Sequence, residues 1–159
     1  MKTIIFYGKR NTGMALLPFL VASGYKVKVM SGDADVEWMA HSLKLETVEL
    51  ERMGEFDLFI CCHGTRIIPK EYLDKGVFIN IHPCLQKYPG KNPIQKYVDN
   101  KDTVGTVESH YMVEQVDAGK KICCFGFYTG EVKTPQEFYA IAMPHYFKCL
   151  SQTLKEIGL

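Results

Sequence analysis

This sequence carries almost no excess of either charge. Nineteen Lys and Arg face 18 Asp and Glu, a formal net charge of +1 at pH 7. A protein that holds nucleic acid through a bulk basic field is excluded, while a local basic cluster stays open. Long apolar runs are missing too, and no stretch approaches the roughly 18 residues of a membrane span. The opening run from Thr3 to Tyr7 breaks at Gly8, before Lys9 and Arg10. It is too short for a signal-peptide core and lacks a small-residue cleavage site, so a cytoplasmic location without a membrane partner is expected. The six cysteines include no C-x-x-C and no Cys/His spacing typical of zinc, so no metal is expected. Nor is a disulfide framework expected in a domain of this size. Repeats, low-complexity segments and interdomain linkers are absent.

What is present describes a soluble α/β domain. A length of 159 residues predicts one domain over 1–159 with room for a sizeable core. Hydrophobic residues at 47% and charged residues at 23% exclude a disordered chain. Thr3 to Tyr7 reads as a buried first strand. Thr12 is the expected cap of a helix to about Ser23, with Gly24 as its stop and Pro18 as a weak point. Further strands are expected at Tyr25 to Met30, Thr47 to Leu50, Asp57 to Cys62 and Gly76 to His82, with a helix at Asp33 to Ser42. The continuous apolar run to Cys62 suits the middle of a parallel sheet. Strands alternating with helices predict βαβ units.

The second half changes character. A short helix is expected from Asn92 to Val98. Thr103 to Glu114 and Lys120 to Tyr128 read as an antiparallel hairpin around Val116-Asp117-Ala118-Gly119. Thr134, Pro135 and Glu137 form a capping-box start for a last helix. Its expected inward face is Phe138, Ile141, Ala142, Tyr146, Cys149, Leu150 and Leu154, with a kink at Pro144. That face leaves internal packing and a homodimer contact both open. Cys61, Cys62, Cys123 and Cys124 read as small buried strand residues. Cys84 follows a candidate site loop, which predicts exposure.

Two segments could carry chemistry. Gly8-Lys9-Arg10-Asn11-Thr12-Gly13 is neither a P-loop nor G-x-G-x-x-G. It is either a phosphate site at a helix start or an ordinary βα turn with two solvated cations. In Asn80-Ile81-His82-Pro83, residues two apart share a strand face, so Asn80 and His82 project together. Pro83 ends the strand and puts His82 at its carboxyl end, where ligands bind in open α/β sheets. An amide that donates to a developing oxyanion beside an imidazole that moves protons suits acyl transfer. The plain alternative is a strand-end histidine that holds a loop. Asp117 is either a routine turn residue or, if folded back toward His82, a carboxylate that orients the imidazole and favours its charged form.

Together these pieces resemble the formyltransferase family that uses 10-formyltetrahydrofolate. The matching residues are Asp57-Leu58-Phe59-Ile60, Gly64-Thr65-Arg66-Ile67-Ile68-Pro69, Asn80-Ile81-His82-Pro83-Cys84-Leu85, Tyr88-Pro89-Gly90-Lys91-Asn92-Pro93, Gly105-Thr106-Val107, and His110 through Asp117-Ala118-Gly119. The resemblance implies a Rossmann-like formyltransferase fold: a mostly parallel sheet, a C-terminal antiparallel hairpin and a C-terminal helix. It implies Asn80, His82 and Asp117 as a catalytic trio. Thr65, Arg66, Ile67, Ile68, Val116 and Asp117 would bind the folate, and Lys9, Arg10, Asn11, Thr12, Gly90, Asn92 and His110 the acceptor. Lys9 to Thr12 replace the phosphate loop of the ribonucleotide branch, Cys84 replaces the usual Ser, and Pro89 stands where many members have Arg. The chain ends at Leu159 without the second domain of the tRNA-modifying branch, so tRNA is not the expected partner. The His-Pro-Cys-Leu and Tyr-Pro-Gly-Lys-Asn-Pro forms are more like the sugar branch. A nucleotide-linked amino sugar is therefore the expected acceptor. The alternatives are glycinamide ribonucleotide, hydrolysis of the formyl folate, and a non-catalytic folate- or nucleotide-binding module.

Overall fold

Short apolar runs that alternate with helices can bury themselves only by stacking side by side under helical cover. A computed structural model describes residues 1–159. They divide into two units, Met1–Asn80 and Ile81–Leu159.

In the first unit the strands are β1 (Thr3–Gly8), β2 (Lys26–Met30), β3 (Glu46–Val48) and β4 (Leu58–Cys62). They stand in the order β3-β2-β1-β4, with β5 (Phe78–Pro83) beyond β4. The pairs β1–β2, β1–β4 and β2–β3 are all parallel. Helices α1 (Arg10–Ala22), α2 (Ala34–Ser42) and α3 (Lys70–Leu73) lie between them in sequence. Every residue of β4 is buried, as a strand covered on both faces requires. Ile4, Ile5 and Phe6 of β1 and Leu16, Leu17 and Leu20 of α1 are fully buried. Phe78 at the start of β5 stacks on Phe59, with ring centroids 4.7 Å apart.

Thr12 does not cap α1. The helix begins three residues closer to the strand, with Lys9 at the N-cap, and Thr12 is buried within its first turns. Two glycines make this early start feasible. A Cβ at Gly13 would lie 2.8 Å from the Gly8 carbonyl carbon, and one at Gly8 would lie 2.9 Å from the Gly13 Cα. The end of β1 and the first turn of α1 therefore touch backbone to backbone, which any side chain would prevent.

In the second unit, β5 is followed by β6 (Val104–Tyr111) and β7 (Lys121–Tyr128), in the order β5-β6-β7. Strands β6 and β7 are antiparallel, with Val104 opposite Tyr128 and His110 opposite Lys121, and the register shifts between Ser109 and His110. Helix α4 (Pro93–Asp99) precedes the pair and α5 (Pro135–Glu156) follows it. At the start of α5 the Thr134 hydroxyl accepts the Glu137 N–H at 3.2 Å, and the Glu137 carboxylate accepts the Lys133 N–H at 2.7 Å. Its buried face holds Phe138, Ala142, Tyr146, Cys149, Leu150 and Leu154, as expected, together with Thr153. Ile141 departs from the expectation, at 37% exposed. Pro144 does not end the helix. Pro144 and Ala140 are both exposed, so water can take the carbonyl that the proline leaves without a donor.

Three of the cysteine expectations fail. Cys124 is exposed and Cys123 half-buried, because β7 is the last strand in the order and lacks a neighbour on one side. Cys84 is buried instead of exposed. No helix is long and apolar enough to cross a membrane.

Phe138 is fully buried against the Tyr97 ring, with centroids 4.9 Å apart. Phe138→Ala is expected to lower unfolding stability by about 3–5 kcal/mol. Ile141→Ala, on the exposed side of the same helix, should cost under about 1 kcal/mol. Urea titrations of the two variants check the contrast.

Candidate active site

In the first unit, β1 lies between β2 and β4, so successive connections leave it in opposite directions. A crevice opens outside the carboxyl ends of strands at such a switch point. Two loops edge it here, one after β1 and one after β4. The Lys9 ammonium donates to the Thr65 hydroxyl at 2.8 Å, and the Lys9 N–H donates to the Cys62 carbonyl at 3.2 Å. The Tyr7 hydroxyl accepts the N–H groups of Thr65 at 3.3 Å and Arg66 at 3.2 Å. Gly64 lets the tyrosine ring pass, since a Cβ there would lie 2.2 Å from Tyr7 Cε1.

These ties sort the residues expected in this unit. Lys9 is engaged by Thr65, while Arg10 and Asn11 remain exposed. Thr12, expected at the acceptor, is only 5% exposed and belongs to the buried side of α1. The Arg66 guanidinium pairs with Glu51 at 2.6 Å. Ile67 stands 71% exposed, whereas Ile68 is 4% exposed and anchors the loop to the core.

Along β5 burial alternates. Ile79 and Ile81 are buried, while Asn80 and His82 are half-buried on the opposite face. His82 Nδ1 lies 2.8 Å from the Pro83 carbonyl oxygen. Its Nε2 lies 3.2 Å from the Gly90 carbonyl and 3.5 Å from Asp117 Oδ2. Asp117 adopts the left-handed conformation, with φ of 59°, which Asp tolerates better than most residues. Its carboxylate accepts the Gly90 N–H at 2.9 Å, and Oδ1 lies 3.5 Å from His110 Nε2. The contact with His110, helped by the Gly90 N–H and the His82 charge, outweighs burial and lowers the Asp117 carboxyl to about 2.

His110 was expected at the acceptor. It is 1% exposed, and its Nδ1 faces the Tyr111 carbonyl at 2.9 Å. The register shift between Ser109 and His110 re-aims this part of β6. Both rings thus face oxygens at both nitrogens.

Around this cluster, Gly90 and Asn92 are exposed, and Val116 is 58% exposed. Cys84 follows Pro83 with φ of 51° and donates its N–H to the Thr106 carbonyl at 2.9 Å, which turns the side chain inward. Burial pushes its thiol up. Sequence reasoning missed Glu108, which is fully buried. Its carboxylate accepts the Thr106 hydroxyl at 2.8 Å and the Gln86 N–H at 3.2 Å, and pairs with Lys121 at 2.5 Å. That pins the turn after Pro83. The available signal was an acidic residue inside a β-forming run with a lysine across the hairpin.

The Asp117 carboxyl titrates lower in the fold than its ordinary value of 3.8. Its stabilising contribution is therefore complete above about pH 5 and is lost as the pH falls through about 2. Asp117→Asn should remove about 2 kcal/mol of that pH-dependent stability. Urea unfolding at a series of acidic pH values should give a flatter profile for the variant. Parallel profiles would show that the carboxylate does not hold this cluster.

Comparison with known proteins places this chain in a family. A family model described as formyl transferase matches residues 10–125. The methionyl-tRNA formyltransferase of Campylobacter lari is 28% identical over 147 residues, covering 75% of this chain and 48% of its own length. The chain spans about half the length, or less, of the curated relatives it matches. Among solved structures, the phosphoribosylglycinamide formyltransferase of Streptococcus pneumoniae TIGR4 superposes with a TM-score of 0.80 at 17% identity, covering 100% of both chains. The N-formyltransferase of Helicobacter canadensis, in complex with folinic acid and dTDP-3-aminofucose, gives a TM-score of 0.80 at 19% identity, covering 98% of this chain and 65% of its own. With the family model spanning most of its length, this chain belongs to the formyl transferase family.

Proposed function

We propose that this protein transfers a formyl group from 10-formyltetrahydrofolate to a primary amine, with Asn80, His82 and Asp117 as the reacting trio. The observation that carries this reading is the cluster at the end of β5. There His82 lies 3.5 Å from a buried, firmly ionised Asp117, two residues beyond a half-buried Asn80 on the same strand face.

The folate supplies a formyl group on a nitrogen that can leave. The protein's residues would do the rest. The Asn80 amide N–H donates to the formyl oxygen as it gains negative charge under attack by the amine, with the His82 ring beside it on the same strand face. Asp117 fixes the imidazole through its carboxylate and balances its charge. His82 then passes protons between the attacking and departing nitrogens, the work of a general acid–base. In the first unit, the exposed apolar side chain of Ile67 and the backbone of the Thr65–Ile67 segment suit a flat, polar-edged ring. With its side chain in the core, Ile68 can contribute only backbone.

For the acceptor we favour a nucleotide-linked amino sugar. The exposed Arg10 and Asn11 side chains at the start of α1, where the Asp33 carboxylate accepts the Arg10 N–H at 3.3 Å, offer a cation and an amide to a diphosphate. The Helicobacter canadensis structure with dTDP-3-aminofucose offers a precedent on the same fold. Methionyl-tRNA is the second reading, favoured by the names of the sequence relatives.

Incubating the protein with 10-formyltetrahydrofolate and a panel of amino-sugar nucleotides, glycinamide ribonucleotide and aminoacylated initiator tRNA decides the acceptor, with formylated products read by mass spectrometry. Formate release without any amine would instead indicate hydrolysis, and binding without turnover a binding module. His82→Ala should lower kcat by about 10²–10⁴ with folate affinity changed only a few-fold. Full activity in that variant would overturn the mechanism.

A further inference from the structure

The formyl-transfer reading leaves one polar cluster in the second unit unused. Cys123 on β7 and Cys149 on α5 place their sulfurs 3.4 Å apart. The Ser109 hydroxyl lies 3.2 Å and the Thr153 hydroxyl 3.3 Å from the Cys123 sulfur. Thr153 Oγ1 is itself 2.6 Å from both Ser109 Oγ and the Cys149 carbonyl oxygen, which fixes the group in place.

The two thiols are not equivalent. Cys123 is half-buried on the last strand, while Cys149 is wholly inside. Hydrogen bonds from the Cys149 thiol and the two hydroxyls outweigh burial and bring the Cys123 thiol down to about 6. The same neighbour and deep burial push the Cys149 thiol far up. Of the two, Cys123 is the more readily ionised thiol. Cys124 is more exposed, yet burial of its sulfur raises its thiol above the ordinary value.

We propose that Cys123 is a peroxide-reactive thiol that resolves onto Cys149, joining β7 to α5 through a disulfide. The Cys123 thiolate attacks one oxygen of a hydroperoxide, the O–O bond breaks, and hydroxide or alkoxide leaves, so that sulfur is oxidised to a sulfenic acid while the peroxide is reduced. The Cys149 sulfur then attacks the sulfenic sulfur. The S–O bond breaks, the Cys149 proton joins the departing oxygen, and water leaves. The sulfurs must close by about 1.4 Å to reach the ~2.05 Å of the bond, a shift within side-chain rotation.

The test treats the whole chain with equimolar hydrogen peroxide, blocks free thiols, and maps unreduced peptides by mass spectrometry. We expect one linkage, Cys123 to Cys149, that dithiothreitol reverses. A Cys124→Ser protein, which assigns the sulfur within the shared peptide, should behave identically. In Cys149→Ser, whose hydroxyl can still donate to the Cys123 sulfur, Cys123 should accumulate as a dimedone-reactive sulfenic acid at least about tenfold faster than any other cysteine, and in Cys149→Ala, which removes that donor, the same adduct should form more slowly. Circular dichroism confirms that each variant is folded. Oxidation spread evenly over the six cysteines, a linkage through Cys124, or folded Cys149 variants without a dimedone adduct at Cys123 would each overturn the proposal.

Discussion

A carboxylate kept charged under cover needs donors or imidazole nitrogens close by, and Asp117 has such neighbours on three sides. His82 approaches from the end of β5, His110 from β6, and the Gly90 N–H from the loop between them. Each approach fixes a different piece of chain. The loop carrying Gly90 must return to the end of β5, β6 must be re-aimed at its bulge, and the chain at Asp117 must adopt a left-handed turn. An unmet buried carboxylate would neutralise or be expelled to water. The geometry around this one group is therefore tightly coupled to the path of the backbone on every side of it.

The first unit solves a different problem, the holding of two loops at a switch point without side-chain bulk between them. Tyr7 does this by giving its hydroxyl to two successive backbone donors, and Lys9 adds a bond across to Thr65. Small residues clear the way: Gly64 for the Tyr7 ring, and Gly8 with Gly13 for the approach of α1. The result leaves Ile67 and Arg10 presented to solvent, while the residues beside them are spent on structure.

Much of this was legible in the sequence. The apolar runs of β1 and β4 ended within a residue or two of where they were expected, because a strand buried on both faces leaves little freedom in composition, and β5 did so through its alternation and Pro83. The capping residues of α5 were equally plain. Thr12 misled because cap preference is local, whereas the start of α1 is set by two glycines meeting across the turn. Cys123 and Cys124 misled because an apolar run does not say whether its strand has a neighbour on each side. At the site, the pairing of Asn80 with His82 followed from strand alternation alone. The partnership of His110 with Asp117 did not, since a bulge that shifts the register has no mark in composition.

Three consecutive residues of β6 show a further side of the same design. Glu108, Ser109 and His110 are polar, and all are essentially without exposure. Each has its partner on a different piece of chain: Lys121 of β7 for Glu108, Thr153 of α5 for Ser109, and Asp117 of the connecting loop for His110. None of these demands is met until strand, helix and loop have all docked, and a half-docked chain would bury polar groups without compensation. The segment thus penalises partial order, so that loss of the hairpin, the last helix and the histidine–carboxylate cluster should fall within one cooperative unfolding unit rather than three.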